Sequence, residues 1–231
     1  MTMFVEARGL VRTFGEGGVE RPVLQGIDLQ VGEGECIALL GRSGSGKSTL
    51  LNLLAGIDTP DAGEILIRGQ CINRLSERDR TLFRRRHIGF VYQLFNLIST
   101  LTVEENIGLP LELNGITEAE IGQRVERLLQ EIGLQGRGSA FPDRLSSGEQ
   151  QRVAVARALI HEPALILADE PTGNLDAETG HHILKLLTGL SRKYGRTLII
   201  VTHSLAVARA ADRVVTLKDG GLTSVEGDFA W

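Results

Sequence analysis

The segment Gly41-Arg42-Ser43-Gly44-Ser45-Gly46-Lys47-Ser48 decides the fold of this 231-residue chain. It matches in full the pattern G-x-x-x-x-G-K-[ST], whose glycines let backbone N–H groups approach phosphate oxygens closely. A continuously apolar stretch, residues 36–40, precedes the segment, and an apolar helical stretch, residues 48–55, follows it. The pattern requires this order of strand, loop and helix. We therefore predict that the segment, named the phosphate loop below, binds nucleotide phosphates at the positive end of the helix.

The side chains of the phosphate loop predict a nucleoside triphosphate, ATP, together with Mg²⁺. Lys47 is expected to reach the β- and γ-phosphates, and the hydroxyl of Ser48 is expected to ligate the metal. The alternative, an incidental turn with a solvated Lys47, leaves the flanking strand and helix unexplained. Further phosphate contacts are expected from the rest of the loop and the next residue: Gly41, Arg42, Ser43, Gly44, Ser45, Gly46 and Thr49.

Two more apolar stretches end in polar residues that suit phosphoryl transfer. Asp169 and Glu170 come directly after residues 164–168, and His203 comes shortly after residues 197–201. In phosphate-loop ATPases an acid at such a strand end holds Mg²⁺, and a neighbouring carboxylate can position or deprotonate the attacking water. We predict that Asp169 contacts the metal, that Glu170 acts on the water and that His203 stabilises charge on the γ-phosphate. The alternatives are a solvated acidic pair and a structural histidine.

The order of these stretches predicts an α/β fold with a mostly parallel core sheet. A helix-period stretch lies between the last two apolar strands, and connections of this kind build open parallel sheets. Ligands of such sheets bind at the carboxyl ends of the strands, where the polar residues are predicted to gather. Residues 1–35 mix short β segments with turns and are predicted to form an N-terminal antiparallel β subdomain. Residues 94–160 lack apolar strands and are predicted to form an inserted helical subdomain.

Composition and charge argue against several kinds of partner. A net charge of -4 and an aromatic content of 4% argue against broad binding of DNA or RNA. The run Arg84-Arg85-Arg86 is interpreted as a solvated helix face. The two cysteines, Cys36 and Cys71, lack metal-ligand spacing, which favours a reducing cytoplasm. The sequence shows neither a signal peptide nor an apolar stretch of about 20 residues, so any membrane role is expected to come through a partner.

The stretch Leu145-Ser146-Ser147-Gly148-Glu149-Gln150-Gln151-Arg152 resembles the signature motif of ABC transporter ATPases, usually written LSGGQ. Two of its residues, Ser146 and Glu149, also stand at the spacing of a capping box, which predicts that a helix begins there. The resemblance implies that this helix N-terminus contacts ATP bound to another subunit, in a homodimer or with a paired ATPase. The residues implied to make those contacts are Ser146, Ser147, Gly148 and Glu149.

The resemblance to ABC ATPases covers essentially the whole chain, residues 1–231, and its motifs occur in the family's order. It implies that Phe14 stacks on adenine, although a packing role at a turn is an alternative. It also implies that Gln93 contacts the metal and joins the nucleotide site to the helical subdomain. Asp176 matches a loop that crosses the dimer, and His203 matches the family's switch histidine.

The chain departs from the usual signature motif at two positions. Ser147 replaces a glycine, so a side chain is added where the backbone is expected to approach phosphate. Glu149 replaces a glutamine and brings a negative charge close to an anion, unless the capping bond holds its carboxylate away. The departure at Ser147 affects the expected rate of turnover and leaves the expected fold unchanged.

Residues 95–102 and 168–176 look like the lipoprotein-release, macrolide-export and cell-division ATPases of the family. The resemblance implies an ATP-hydrolysing subunit that drives a separate permease with few transmembrane helices, from the cytoplasmic face of the cell membrane. The implied process is export, lipoprotein release or mechanotransmission. The alternative is a soluble ABC-type ATPase acting on DNA or translation, but residues 49–144 show neither a heptad tract nor zinc-ligand spacing. A nucleoside kinase would have no use for the signature motif.

Overall fold

The computed structural model describes residues 3–16 and 19–224. Its strands are β1 (Met3–Glu16), β2 (Val19–Gly32), β3 (Cys36–Leu40), β4 (Ala62–Ile67), β5 (Gln70–Cys71), β6 (Ile88–Val91), β7 (Leu165–Asp169), β8 (Thr197–Thr202), β9 (Arg213–Lys218) and β10 (Gly221–Ser224). Its α-helices are α1 (Lys47–Leu54), α2 (Glu77–His87), α3 (Val103–Leu113), α4 (Glu118–Glu131), α5 (Ser147–Leu159), α6 (Ala177–Lys193) and α7 (Leu205–Ala208).

The strands form two sheets, and the predicted directions of both are confirmed. The core sheet has the order β10-β9-β3-β8-β7-β6, and its neighbours are parallel except for the pair of β10 and β9. The second sheet has the order β2-β1-β4-β5 and is antiparallel. This sheet is larger than the predicted N-terminal subdomain, because β4 and β5 join it from beyond the phosphate loop.

The central strands of the core sheet are buried along their whole length. All residues of β3 and of β8 are buried, as expected for parallel strands that are covered on both faces. Cys36 packs here as a small buried hydrophobe, and burial raises the pKa of its thiol to about 12. Strand β3 therefore fixes the point from which the phosphate loop emerges.

The phosphate loop turns sharply into α1 at a position that only glycine can occupy. Gly46 has a φ of 98°, in the left-handed region that side chains disfavour. A Cβ atom there would also lie 2.7 Å from Cγ1 of Val23 on β2. The antiparallel sheet thus supports the loop from outside, and the glycine lets the two approach.

The basic run on α2 is less solvated than its sequence suggested. Arg86 is exposed, but Arg84 and Arg85 are half-buried. The guanidinium of Arg84 donates to the carbonyl oxygen of Gly56, just after the end of α1. The face is therefore solvated only in part, because Arg84 caps a neighbouring helix end.

The predicted helical insert is present between β6 and β7 and contains α3, α4 and α5. Helices α3 and α5 both begin with a capping box, formed by Thr102 with Glu105 and by Ser146 with Glu149. The limits 94–160 of this subdomain stay a prediction. Within residues 3–16 and 19–224, the helices are too short or too polar to cross a membrane.

Helix α5 packs closely against β6 because a glycine faces it. A Cβ atom on Gly89 would lie only 2.1 Å from the carbonyl oxygen of Ala158, a contact that real structures do not tolerate. The side chain of His161, just beyond α5, also contacts the carbonyl oxygen of Ile88, with 3.1 Å between Nε2 and that oxygen. Helix α5, which begins in the signature segment, is therefore in direct backbone contact with β6, the edge strand of the core sheet.

We expect Gly89→Ala to lower the free energy of unfolding by about 2 kcal/mol or more, because the added methyl group would force the helix away from the strand. Gly122→Ala on α4 is the matched control, since a Cβ atom there meets nothing within 4 Å. The control should raise the stability by about 0.5–1 kcal/mol through helix propensity. Urea denaturation of both variants measures the difference, and equal stabilities would contradict this packing.

Candidate active site

The carboxyl ends of three neighbouring core strands bring the predicted phosphate and catalytic residues to one edge of the sheet. Leu40, which precedes the phosphate loop, lies opposite Thr202 in the parallel pairing of β3 with β8. Asp169 at the end of β7 lies opposite Val201 of β8. Because these positions are level with one another, the phosphate loop, the two acids and His203 share one edge, as the sequence predicted.

The side chain of Lys47 folds back across the phosphate loop. Its Nζ atom donates to the carbonyl oxygens of Gly41 at 2.8 Å and Arg42 at 2.9 Å, and the residue is buried. Within the described part of the chain, no side chain caps the N-terminus of α1, which begins after Gly46. The positive end of the helix and a lysine ammonium group therefore lie together, which is the arrangement that favours binding of an anion.

The interior of the loop also holds a polar atom that has no partner among the described residues. The hydroxyl oxygen of Ser45 is buried without a hydrogen bond. It packs against Gly41, where an added Cβ would lie 2.7 Å from this oxygen. A buried hydroxyl group of this kind can donate to a phosphate oxygen, so the loop fits its predicted ligand.

Asp169 is a half-buried carboxyl group whose surroundings suit a cation. Burial raises the pKa of Asp169 above its ordinary value, and the charge of Glu170 adds to that effect. The nearby hydroxyl of Ser48 and the charge of Lys47 oppose this effect and lower the pKa. An oxygen pair of carboxylate and hydroxyl matches the ligands that Mg²⁺ prefers, and a divalent ion there would offset the burial of the charge.

Glu170 is held in a strained backbone conformation beside Asp169. Its φ of 45° lies in the left-handed region, which costs a non-glycine residue about 1 kcal/mol or more. One carboxylate oxygen lies 2.7 Å from Nδ1 of His203, and the other accepts a bond of 3.1 Å from the hydroxyl of Thr202. This backbone conformation presents the carboxylate at the edge of the sheet, and the contacts with Thr202 and His203 fix its orientation.

His203 therefore contacts the predicted base in this structure. Its side chain is 66% exposed, whereas that of Glu170 is 15% exposed. The imidazole sits on the solvent side of the carboxylate, where rotation about its own side-chain bonds can redirect it. Its predicted contact with a γ-phosphate stays a prediction.

The signature segment forms the start of α5, as its capping-box spacing predicted. Glu149 accepts bonds from the backbone N–H of Ser146 at 2.8 Å and from its hydroxyl at 2.9 Å. These bonds, with the backbone N–H contributing most, hold the pKa of Glu149 below its ordinary value. Ser146 and Ser147 are exposed, whereas Gly148 is buried and faces Thr179, whose Cγ2 would lie 2.6 Å from an added Cβ.

Gln93 is paired with the segment that follows the catalytic acids. Its side-chain Nε2 donates to Oδ1 of Asn174 at 3.2 Å, and Nδ2 of Asn174 donates to the carbonyl oxygen of Gln93 at 3.1 Å. These two bonds use the amide nitrogen and the backbone carbonyl of Gln93, and the predicted metal contact, which would use its side-chain oxygen, stays a prediction. Asn174 was not among the predicted site residues, because nothing in the sequence connects it with Gln93.

Two residues of the predicted site lie at its periphery. Phe14 is on β1 and not at a turn, and its ring is 41% exposed. The guanidinium of Arg12 lies 4.8 Å from the centre of this ring, a cation–π contact. Asp176 caps α6 by accepting a bond of 2.9 Å from the backbone N–H of Thr179. The side chain of Thr179, and then this backbone N–H, lower the pKa of the carboxyl group.

The structure adds two residues that the sequence analysis missed, Gln151 and Arg157 on α5. Gln151 is fully buried, and its amide donates to the carbonyl oxygens of Tyr92 and Pro171. Arg157 donates to the carbonyl oxygens of Phe95 and Asn96. A signal was available for Gln151, since it is a polar residue on the apolar face of a helix, where a partner is needed.

Known proteins are similar to this chain over most of its length. The family profile described as ABC transporter matches residues 24–173. An uncharacterized ABC transporter ATP-binding protein of Mycobacterium tuberculosis is 53% identical over 218 residues, which cover 94% of this chain and 88% of that protein. The lipoprotein-releasing system ATP-binding protein LolD of Chromohalobacter salexigens is 45% identical over 221 residues, covering 96% and 93%.

A solved structure is similar over nearly the whole length of this chain. It is a dimeric, post-hydrolysis state of the ATP-binding cassette MJ0796 with ADP and inorganic phosphate bound. The two chains are 39% identical, with a TM-score of 0.87, and the alignment covers 97% of this chain and 100% of the other.

Proposed function

This chain belongs to the ABC transporter family of ATP-binding proteins, and we propose that it drives a separate membrane permease by closing as a dimer around ATP. The observation that carries the proposal is the signature segment at the start of α5. Its two serines, Ser146 and Ser147, are exposed at a capped helix N-terminus, so a second chain can meet them. A helix N-terminus attracts anions, and the γ-phosphate on the partner's phosphate loop is such an anion.

The chemistry is hydrolysis of ATP to ADP and phosphate. Lys47 and the backbone of the phosphate loop neutralise and position the β- and γ-phosphates, which is the main requirement of phosphoryl transfer. Glu170 takes a proton from the attacking water, for which its carboxylate is already oriented by Thr202. His203 leaves Glu170 and donates to the γ-phosphate as charge develops there.

Three residues, Ser48, Gln93 and Asp169, are proposed to hold Mg²⁺, which would neutralise charge on the phosphates. Ser48 lies close to the half-buried carboxyl group of Asp169, whose charged form is disfavoured by burial. Gln93 would complete the set with its side-chain oxygen, because its bond to Asn174 uses the amide nitrogen.

The surface next to Gln93 supports a role for a protein partner. Leu94 is 68% exposed, Ile98 is 41% exposed and Leu113 is 54% exposed, and all three lie in or near the start of the helical insert. A protein partner that covers this part of the insert would bury these apolar side chains. We assign this surface to a cytoplasmic helix of the permease, which places the chain on the inner face of the membrane.

The similarity to a lipoprotein-releasing ATPase favours a permease of that type, with few transmembrane helices and a large outer domain. The stretches at residues 95–102 and 168–176 favour the same subgroup. The alternative of a soluble ATPase acting on nucleic acid has less support, because the net charge is -4 and the relatives described above are transporter components.

The roles of Lys47 and Glu170 predict two different defects. Lys47→Ala should weaken ATP binding by at least about tenfold, because a charge-assisted contact to phosphate is lost. Glu170→Gln should bind ATP as tightly as the native chain and lose at least about a hundredfold in turnover. Equilibrium binding of a fluorescent ATP analogue and release of phosphate measure the two quantities. Native turnover in Glu170→Gln would contradict the assignment of the base.

The permease can be identified with the Glu170→Gln chain, because ATP should hold its complex closed. Native membranes are solubilised with Mg-ATP, the tagged chain is recovered and mass spectrometry identifies what accompanies it. We expect a membrane protein with few spans and a large outer domain, and we expect Lys47→Ala to recover less of it. Recovery of soluble proteins or nucleic acid alone would contradict the membrane role and leave the ATPase chemistry intact.

A further inference from the structure

Phe14, the residue implied to stack on adenine, has a guanidinium group packed against its ring. The central carbon of the Arg12 guanidinium lies 4.8 Å from the centre of that ring. A cation over one face of an aromatic ring is attracted by the negative charge of its π system. The guanidinium covers one face only, and Phe14 remains 41% exposed. The contact therefore orients the ring and leaves its other face for a flat partner.

Arg12 itself is held in place by two carboxylates. Its Nη1 donates to Oδ1 of Asp61 at 2.8 Å, and its Nη2 lies 2.9 Å from Oδ2 of Asp58. The arginine side chain is 21% exposed, so these pairs are partly shielded from water and salt. A planar guanidinium that pairs with two carboxylates has little freedom to rotate. Arg12 is therefore a fixed support for the ring and not a mobile surface side chain.

The two carboxylates belong to the segment that follows the helix of the phosphate loop. The backbone N–H groups of Ile57 and Asp58 donate to the carbonyl oxygen of Asn52 on α1. Asp61 accepts a bond of 2.6 Å from the backbone N–H of Thr13, and this bond contributes most to the lowered pKa of its carboxyl group. The support of the ring is thus attached both to β1 and to the end of α1.

The same part of the antiparallel sheet touches the phosphate loop directly. Arg12 lies opposite Leu24 in the pairing of β1 with β2, and Phe14 lies opposite Arg21. A Cβ atom on Gly46 would lie 3.2 Å from Cδ2 of Leu24. Phe14 is two residues further along the strand than Arg12, a distance of about 7 Å. The ring therefore lies beside the loop, within reach of the base of a nucleotide whose phosphates occupy it.

We propose that Arg12 is a positioning residue that holds the ring of Phe14 in the orientation in which it stacks on adenine. The inference rests on the proposed function, in which the phosphate loop binds ATP, and on adenine as the partner of Phe14. Adenine takes the face of the ring opposite the guanidinium, because Asp58 and Asp61 keep Arg12 in place. The affinity for the base depends on this support, and the affinity for the phosphates does not.

The support is tested by the affinities of the full-length chain for Mg-ADP and for Mg-pyrophosphate, each in competition with a fluorescent ADP analogue. Pyrophosphate offers the phosphates without a base, so the ratio of the two affinities isolates the contribution of adenine. Phe14→Ala should lower this ratio by about tenfold through the loss of stacking. Arg12→Met should lower it by at least about threefold, and Arg12→Lys, which keeps a cation, by less than about twofold. If Arg12→Met does not fold, Arg12→Gln takes its place with the same expected loss.

Arg68→Met is the matched control, because Arg68 makes the same kind of contact elsewhere in the antiparallel sheet. Its guanidinium lies 5.3 Å from the centre of the ring of Phe4 and pairs with Glu33 at 3.0 Å. This variant should leave the ratio within about 1.5-fold of the native value. A double variant shows whether Arg12 acts through the ring. In a chain that already carries Phe14→Ala, Arg12→Met should change the ratio by less than about 1.5-fold.

The possible failures are distinguishable. A native chain that binds neither Mg-ADP nor Mg-pyrophosphate would contradict the proposed function and with it the support. A ratio that Phe14→Ala leaves unchanged would contradict the stacking of adenine and also overturn the support. A normal effect of Phe14→Ala, with both affinities falling equally in Arg12→Met, would overturn the support alone, because Arg12 would then only stabilise the fold. A ratio that rises in Arg12→Met would also overturn it, because the guanidinium would then compete with adenine for the ring.

Discussion

The burial of β3 between two parallel neighbours is the constraint on which the rest of the structure depends. A strand that is covered on both faces carries apolar side chains, so the polar residues of the site lie only beyond its end. The pairing of β3 with β8 and of β8 with β7 sets the ends of all three strands level. A one-residue slip in this register would move Asp169 and Glu170 away from the phosphate loop.

The edge of the sheet concentrates negative charge and strain before any ligand binds. Asp169 is half-buried, and its neighbour Glu170 adopts a left-handed backbone conformation. Both features cost free energy in the isolated chain, and binding of cationic metal and nucleotide can offset that cost. His203 in turn contacts the carboxylate of Glu170, which is proposed to act on the attacking water. The structure is therefore consistent with a resting conformation that nucleotide rearranges locally.

The fold and the phosphate loop followed from the sequence because their signals are local. Glycine spacing, an apolar run and a capping box each lie within about a dozen residues, and each predicts a defined local structure. The link of Gln93 to Asn174 and the donors on α5 could not be found in this way, because they join segments that meet only in the folded chain. The partial burial of the basic run on α2 was not predicted for a related reason. Arg84 is on a polar helix, and only the tertiary structure shows that Gly56 needs a donor.

The central claim is that ATP joins two chains, with each signature segment completing the other chain's site. Sedimentation equilibrium of the Glu170→Gln chain with Mg-ATP, with Mg-ADP and without nucleotide tests it most directly. The account predicts a species of twice the 25.1 kDa chain mass with Mg-ATP, carrying two nucleotides, and the single chain mass in the other two conditions. A single chain at saturating Mg-ATP, or a dimer that forms equally well without nucleotide, would contradict it.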